Sequence, residues 1–98
     1  MLGLDLSIDA DAIEIYDEYL GDGYGIPSAG GVEAIRLTAS TEGLFLDPIY
    51  SGKAMAGLID HARRGRLNGQ TVAFAHTGGL PALFAYAEHV VSRPRASL

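Results

Sequence analysis

Two short stretches bring hydroxyl and aromatic side chains to points where the chain should turn into a helix. Leu46-Asp47-Pro48-Ile49-Tyr50-Ser51-Gly52-Lys53 opens an amphipathic segment, and Ala75-His76-Thr77-Gly78-Gly79 closes an apolar run. Helix starts leave backbone N–H groups open, and these attract polar and anionic ligands. Tyr50 is placed to stack on a flat heteroaromatic ligand or to fill a core. Ser51 is expected as a helix N-cap, with any ligand contact in addition. Thr77 either turns its hydroxyl into a pocket at the carboxyl end of a strand or closes an ST-turn. Gly78-Gly79 can cradle an anion, although taken alone a tight turn is the simpler account. His76 is expected in a structural role. Lys53, the only lysine, would need burial to serve as a Schiff-base former. Its place in a first helical turn argues for a solvated or phosphate-facing side chain. Tyr24 sits in a glycine-rich loop, as a mobile pocket residue or as a packing plug. Asp17 and Glu18 are adjacent, face opposite ways on a strand and cannot form an acid–base pair.

The elements that would position these residues follow from periodicity. Ile13-Glu14-Ile15-Tyr16-Asp17-Glu18-Tyr19 alternates as a strand with one wet face. The loop Gly21-Asp22-Gly23-Tyr24-Gly25-Ile26-Pro27 packs three glycines into five residues, so its backbone turns sharply. Residues 29–41 are predicted helical, with Val32, Ile35 and Ala39 on one face, Glu33 in the first turn and Gly43 as the stop. Leu44-Phe45-Leu46 is a very short apolar run before Pro48. From Ser51, Ala54, Met55, Leu58, Ile59 and Ala62 repeat at helical spacing, with Gly65 as terminator. Thr71-Val72-Ala73-Phe74-Ala75 is a continuous apolar run after Asn68-Gly69, expected as a strand covered on both faces. Pro81 opens a last helix carried by Leu83, Phe84, Ala87 and Val91. The expected fold class is therefore α/β, a layered open sheet segment with flanking helices. Residues 1–92 form the segment and 93–98 a frayed tail. So few strands make a poor sheet, and the apolar one needs neighbours on both edges.

Bulk properties narrow the function. Ninety-eight residues suffice for one domain, burying roughly 60–65% of the unfolded surface. Hydrophobic content of 48% and charged content of 19% describe a folding chain. A net charge of −5, with no basic stripe, argues against nucleic acid as a partner. Cysteine is absent, which excludes thiolate chemistry and fits a cytoplasmic location. The N-terminus has no basic flank or long apolar run, so neither a signal peptide nor a membrane span is expected. His61, His76 and His89 lie far apart without paired carboxylates, so no metal site is expected.

The ordered set Tyr24-Gly25-Ile26-Pro27, Glu33-Ala34-Ile35-Arg36, Thr41-Glu42-Gly43, the Leu46–Lys53 stretch, Gly57-Leu58-Ile59 and His76-Thr77-Gly78-Gly79-Leu80-Pro81-Ala82-Leu83 resembles one family. It is the C-terminal part of the D-cysteine desulfhydrase and 1-aminocyclopropane-1-carboxylate deaminase group, within the tryptophan-synthase-like, fold-type II enzymes that use pyridoxal 5'-phosphate. The resemblance covers about residues 3–87. It implies that Tyr50 lies against the cofactor ring, that Thr77 faces the pyridine nitrogen and that Tyr24 is a second pocket tyrosine near a small amino-acid substrate. On the same resemblance Tyr50 and Tyr24 are the candidate catalytic residues, and Thr77, Tyr50, Ser51 and Gly78 the candidate cofactor contacts. Ser51 and Thr77 stand where the deaminase branch has glutamate and leucine, which favours the desulfhydrase branch. A carboxylate beside the ring nitrogen strengthens the electron sink, whereas a threonine hydroxyl tolerates a neutral nitrogen. Expelling sulfide needs the weaker sink. The family's Schiff-base lysine and main phosphate loop lie upstream of the matching region, and Lys53 matches a different lysine. The expectation is an enzyme segment active with the missing N-terminal region; the alternatives are a deaminase-like segment or a non-catalytic remnant that self-associates as a homodimer.

Overall fold

Capping chemistry sets the helices. A computed structural model of the chain describes Gly3 and residues 5–91. Helix α1 spans Ala29–Glu42; the Ser28 hydroxyl accepts the Gly31 N–H at 3.0 Å and caps it. Gly43 ends it in the left-handed conformation at φ 67°, its N–H returned to the Ala39 carbonyl at 3.0 Å. Helix α2 spans Ser51–Arg63, and Gly65 follows it at φ 74°. Both helices and both glycine stops therefore lie where spacing puts them. Glu33 differs: it sits beyond the first turn and pairs with Arg63 on α2 at 3.0 Å. The expected final helix is two, α3 at Leu80–Ala85 and α4 at Ala87–Val91, broken at Tyr86.

Helices α1 and α2 make the main packing contact, and small residues let them approach. A Cβ built on Gly52 would lie 3.0 Å from Ile35 Cγ1, and one on Gly30 would lie 3.8 Å from Ala56 Cβ. The buried face of α1 is Gly31, Ala34, Ile35 and Thr38. On α2 the buried residues are Ser51, Gly52, Lys53 and His61. Its expected apolar stripe is not a covered face: Met55, Leu58 and Ile59 are half-buried, and Ala54 and Ala62 are exposed. Helix α4 lies against α1, where Arg36 Nε donates to the Val90 carbonyl.

The sheet expectation needs correction. Among the described residues no segment forms a strand. Residues 13–17 run irregularly after a short 3-10 turn at Ala10–Ala12, with Ile13 and Ile15 exposed. Residues 44–47 and 70–79 are likewise without regular structure, and the run expected to be covered on both faces is mostly exposed, Val72 to 45%. The reason is local to sheets. A strand is defined by a hydrogen-bonded neighbour, and none of these segments pairs with another. The buried hydrophobics among the described residues are Ala34, Ile35 and Leu46, while Ile8, Ile15, Phe45 and Phe84 are among many large apolar side chains left exposed. The tail expected over 93–98 lies outside the described residues, as do Met1, Leu2 and Leu4 of the N-terminus. No described helix is long and apolar enough to cross a membrane.

Candidate functional site

Asp47 organises the start of α2. It is fully buried, and its carboxylate accepts the N–H groups of Ile49 at 2.8 Å, Tyr50 at 2.7 Å and Ser51 at 3.0 Å. The Ser51 hydroxyl donates to Asp47 Oδ1 at 2.6 Å and accepts the Asp47 N–H at 2.8 Å. Burial pushes the Asp47 carboxyl up, but the bonds from the Ser51 hydroxyl and the three amides outweigh it and hold the group below its ordinary value. Ser51 is thus the first residue of α2 and not its N-cap. The N-cap position falls to Tyr50, which makes no side-chain cap bond, and Asp47 takes the open amides instead. Position 52 has no room for a side chain: a Cβ there would lie 2.5 Å from the Asp47 carbonyl oxygen, which accepts the Gly52 N–H at 2.7 Å.

The second stretch folds back onto this junction. His76 Nε2 donates to the Phe45 carbonyl at 2.7 Å, and its Nδ1 accepts the Gly78 N–H at 3.3 Å. That pattern requires the tautomer with its proton on Nε2, and it gives His76 a structural role. Gly79 presses on Asp47 itself: a Cβ would lie 2.6 Å from Asp47 Cγ, and the residue adopts φ 95°. The two stretches separated by about thirty residues in sequence therefore meet at one carboxyl group. Thr77 and Gly78 stand exposed beside the contact, and among the described residues the Thr77 hydroxyl makes no hydrogen bond. The Gly78 N–H is spent on its own His76, and α3 behind it has only six residues.

The glycine loop delivers the third part. The Tyr24 and Tyr50 hydroxyls are hydrogen-bonded to one another, with ring centroids 5.9 Å apart and planes at 63°. Both rings face solvent, Tyr24 to 79% and Tyr50 to 59%. The bond to Tyr24 and partial desolvation raise the Tyr50 phenol above its ordinary value. Lys53 departs from its expected solvated place: it is buried, and its Nζ donates to the Gly23 carbonyl at 2.9 Å. Beyond Tyr50 lies an apolar cavity of about 500 Å³, bounded by Tyr16, Tyr19, Leu20, Gly57 and Leu58. There the Tyr19 hydroxyl donates to Asp60 at 2.7 Å, and Tyr19 is packed so closely that a Cβ on Gly57 would lie 3.0 Å from its ring.

Two residues, Asp47 and Tyr86, and one contact, from Lys53 to Gly23, were not singled out from sequence. Asp47 sits in the quoted stretch, and an aspartate before proline with open amides beyond is a legible turn signal. Tyr86 donates to the Gly25 carbonyl at 2.9 Å across the fold, and no local pattern announces such a contact. The tether from Lys53 to Gly23 is equally non-local.

Comparison with known proteins agrees with the resemblance. The family described as "Pyridoxal-phosphate dependent enzyme" matches residues 1–78. The chain is 53% identical over 88 residues to D-cysteine desulfhydrase of Salmonella newport (strain SL254), covering 89% of this chain and 26% of that protein. Identity and coverage are the same for the D-cysteine desulfhydrases of Salmonella heidelberg (strain SL476) and Salmonella enteritidis PT4 (strain P125109). The chain thus spans about a quarter of the length of these curated relatives.

Proposed function

The chain belongs to the pyridoxal-phosphate dependent enzymes, and on that premise we propose that it is the C-terminal segment of a D-cysteine desulfhydrase-like lyase, forming one wall of the coenzyme pocket. The observation that carries the reading is the meeting of Tyr50-Ser51 with His76–Gly79 at Asp47, with Tyr24 bonded to Tyr50 alongside. The residues suit a flat, anionic, heteroaromatic coenzyme. Two exposed phenol rings offer an aromatic face, and an exposed threonine offers a neutral hydroxyl. The nearest carboxylate, Asp47, is already saturated by donors of its own turn, so it presents no free acceptor to the ring.

When bound, the coenzyme supplies an electron sink for the pair released at the α-carbon of an amino acid. Tyr50 would lie against its ring, and Thr77 would offer its hydroxyl at the ring nitrogen. Ser51 would act from behind Tyr50 by locking the Asp47 turn, and Gly78, where an added Cβ meets open space, would leave room for the coenzyme. Tyr24 and Tyr50 share one hydrogen bond, so one phenol can hold a proton on its oxygen toward the substrate while the other accepts. The net reaction is D-cysteine plus water giving pyruvate, sulfide and ammonia. On the resemblance, the lysine that anchors the coenzyme lies in the upstream region of the family, and Lys53 is engaged instead with the Gly23 carbonyl. The same region would pair with residues 71–75 and complete the sheet that the apolar run implies.

The test is to join the chain to the upstream region of a relative and add the coenzyme and D-cysteine. Visible absorbance from bound coenzyme and release of sulfide are expected. Thr77→Val should lower kcat/KM by about tenfold, the worth of one neutral hydrogen bond of about 1.4 kcal/mol. Normal turnover by Thr77→Val, or a completed protein that ignores the coenzyme, overturns the assignment.

A further inference from the structure

We propose that Lys53 and Tyr86 are positioning residues: together they grip the carbonyls on either side of Tyr24 and so fix its phenol against Tyr50. In its consequence for chemistry this rests on Tyr24 and Tyr50 being the coenzyme-facing wall. Lys53 Nζ donates to the Gly23 carbonyl and the Tyr86 hydroxyl to the Gly25 carbonyl, each at 2.9 Å. Tyr24 lies between the two grips, its side chain almost free of the rest of the chain apart from Tyr50.

The loop needs such grips. Gly23 and Gly25 have φ 139° and 76°, conformations open to glycine and costly in chain entropy to hold. Tyr24 has no packing that would fix it, being 79% exposed. The burial of Lys53 points the same way. Lys53 as a residue is only 6% exposed, and a side chain with only a solubilising role would reach for water instead. The placement of the two donors matters as much as the bonds. Lys53 lies one turn along α2 from Tyr50, so it references the loop to the element that carries Tyr50. Tyr86 lies at the break between α3 and α4, on the stretch that follows His76–Gly79. One loop is thereby registered to both halves of the wall, and the break in the last helix gains a reason: it turns the Tyr86 hydroxyl to the loop.

The experiment is tyrosine ring NMR of the 98-residue chain. Its readout is the cross-peak between the Tyr24 and Tyr50 rings, with cross-peaks between Ile35 and Gly52 as the measure of intact α1–α2 packing. Tyr86→Phe removes a single oxygen, and Lys53→Met removes the ammonium at similar length. In both variants the Tyr24–Tyr50 cross-peak should lose most of its intensity while the Ile35–Gly52 signals stay. If Lys53→Met loses the Ile35–Gly52 signals as well, it has unfolded, and Tyr86→Phe decides alone. A cross-peak at full strength in Tyr86→Phe, or none in the parent chain, overturns the proposal. Failure here leaves the coenzyme assignment standing, because that is judged by absorbance and sulfide release in the completed protein. If the variants break the contact yet leave KM and the coenzyme spectrum of the completed protein unchanged, the wall assignment fails and the clamp stands.

Discussion

The stretch from Leu46 to Lys53 and the stretch from Thr71 to Thr77 meet opposite fates from opposite compositions. The first is buried except at Ile49 and Tyr50, and the N–H groups of Ile49, Tyr50, Ser51 and Gly52 are all placed on Asp47. The second is the more apolar in sequence, yet it runs mostly exposed and without pairing. What separates them is where the partners lie. A capped turn is satisfied by groups within five residues, whereas a strand is satisfied only by another strand. The turn at Asp47 is therefore satisfied within its own few residues, whereas the run at 71–77 finds no strand to pair with among the described residues.

The largest expected effect lies in the first half. Asp47→Ala leaves three amides and the Ser51 hydroxyl without their acceptor, and it should destabilise the chain by about 3 kcal/mol or more in denaturant unfolding. A loss below about 1 kcal/mol would show that water replaces the carboxylate and that the turn is not self-contained. A moderate effect is expected from acid. The Asp47 carboxyl titrates below its ordinary value of 3.8 in the folded chain, so its contribution is complete above that value and is lost as pH falls through the lower folded one. Unfolding followed by circular dichroism should show this loss in the parent and not in Asp47→Asn; equal acid sensitivity in both would assign the transition to other carboxylates. The smallest effect belongs to the second half. Val72→Ser should change the stability of the chain by less than about 0.5 kcal/mol, because Val72 is largely in water. In the completed protein the same change should cost about 1–3 kcal/mol if the run is then a covered strand. Equal costs in the two settings would remove the contrast altogether.

Sequence legibility followed the same division. Helices α1 and α2 and their glycine stops were readable because caps and periodicity are local. The apolar run at 71–75 reads as a covered strand, but it runs mostly exposed and unpaired, because pairing depends on a partner that no local pattern specifies. Tyr50, Thr77 and Tyr24 stand out as candidates by residue type and turn context, and the resemblance is what gives them roles. Serine before a helical pattern points to Ser51 as the cap, whereas the open amides go to Asp47 and Ser51 is the first helical residue. Lys53 and Tyr86 reach carbonyls 30 and 61 positions away, and no window along the chain contains both ends of such a bond.

Gly79 carries a heritable consequence. Its backbone is left-handed, and the space where a methyl would stand is filled by the Asp47 carboxyl. Any codon change that adds even an alanine there strains the conformation and wedges apart two loops with a single atom. The contact between the two loops thus depends on a side chain that is not there, and position 79 is closed to every residue but glycine.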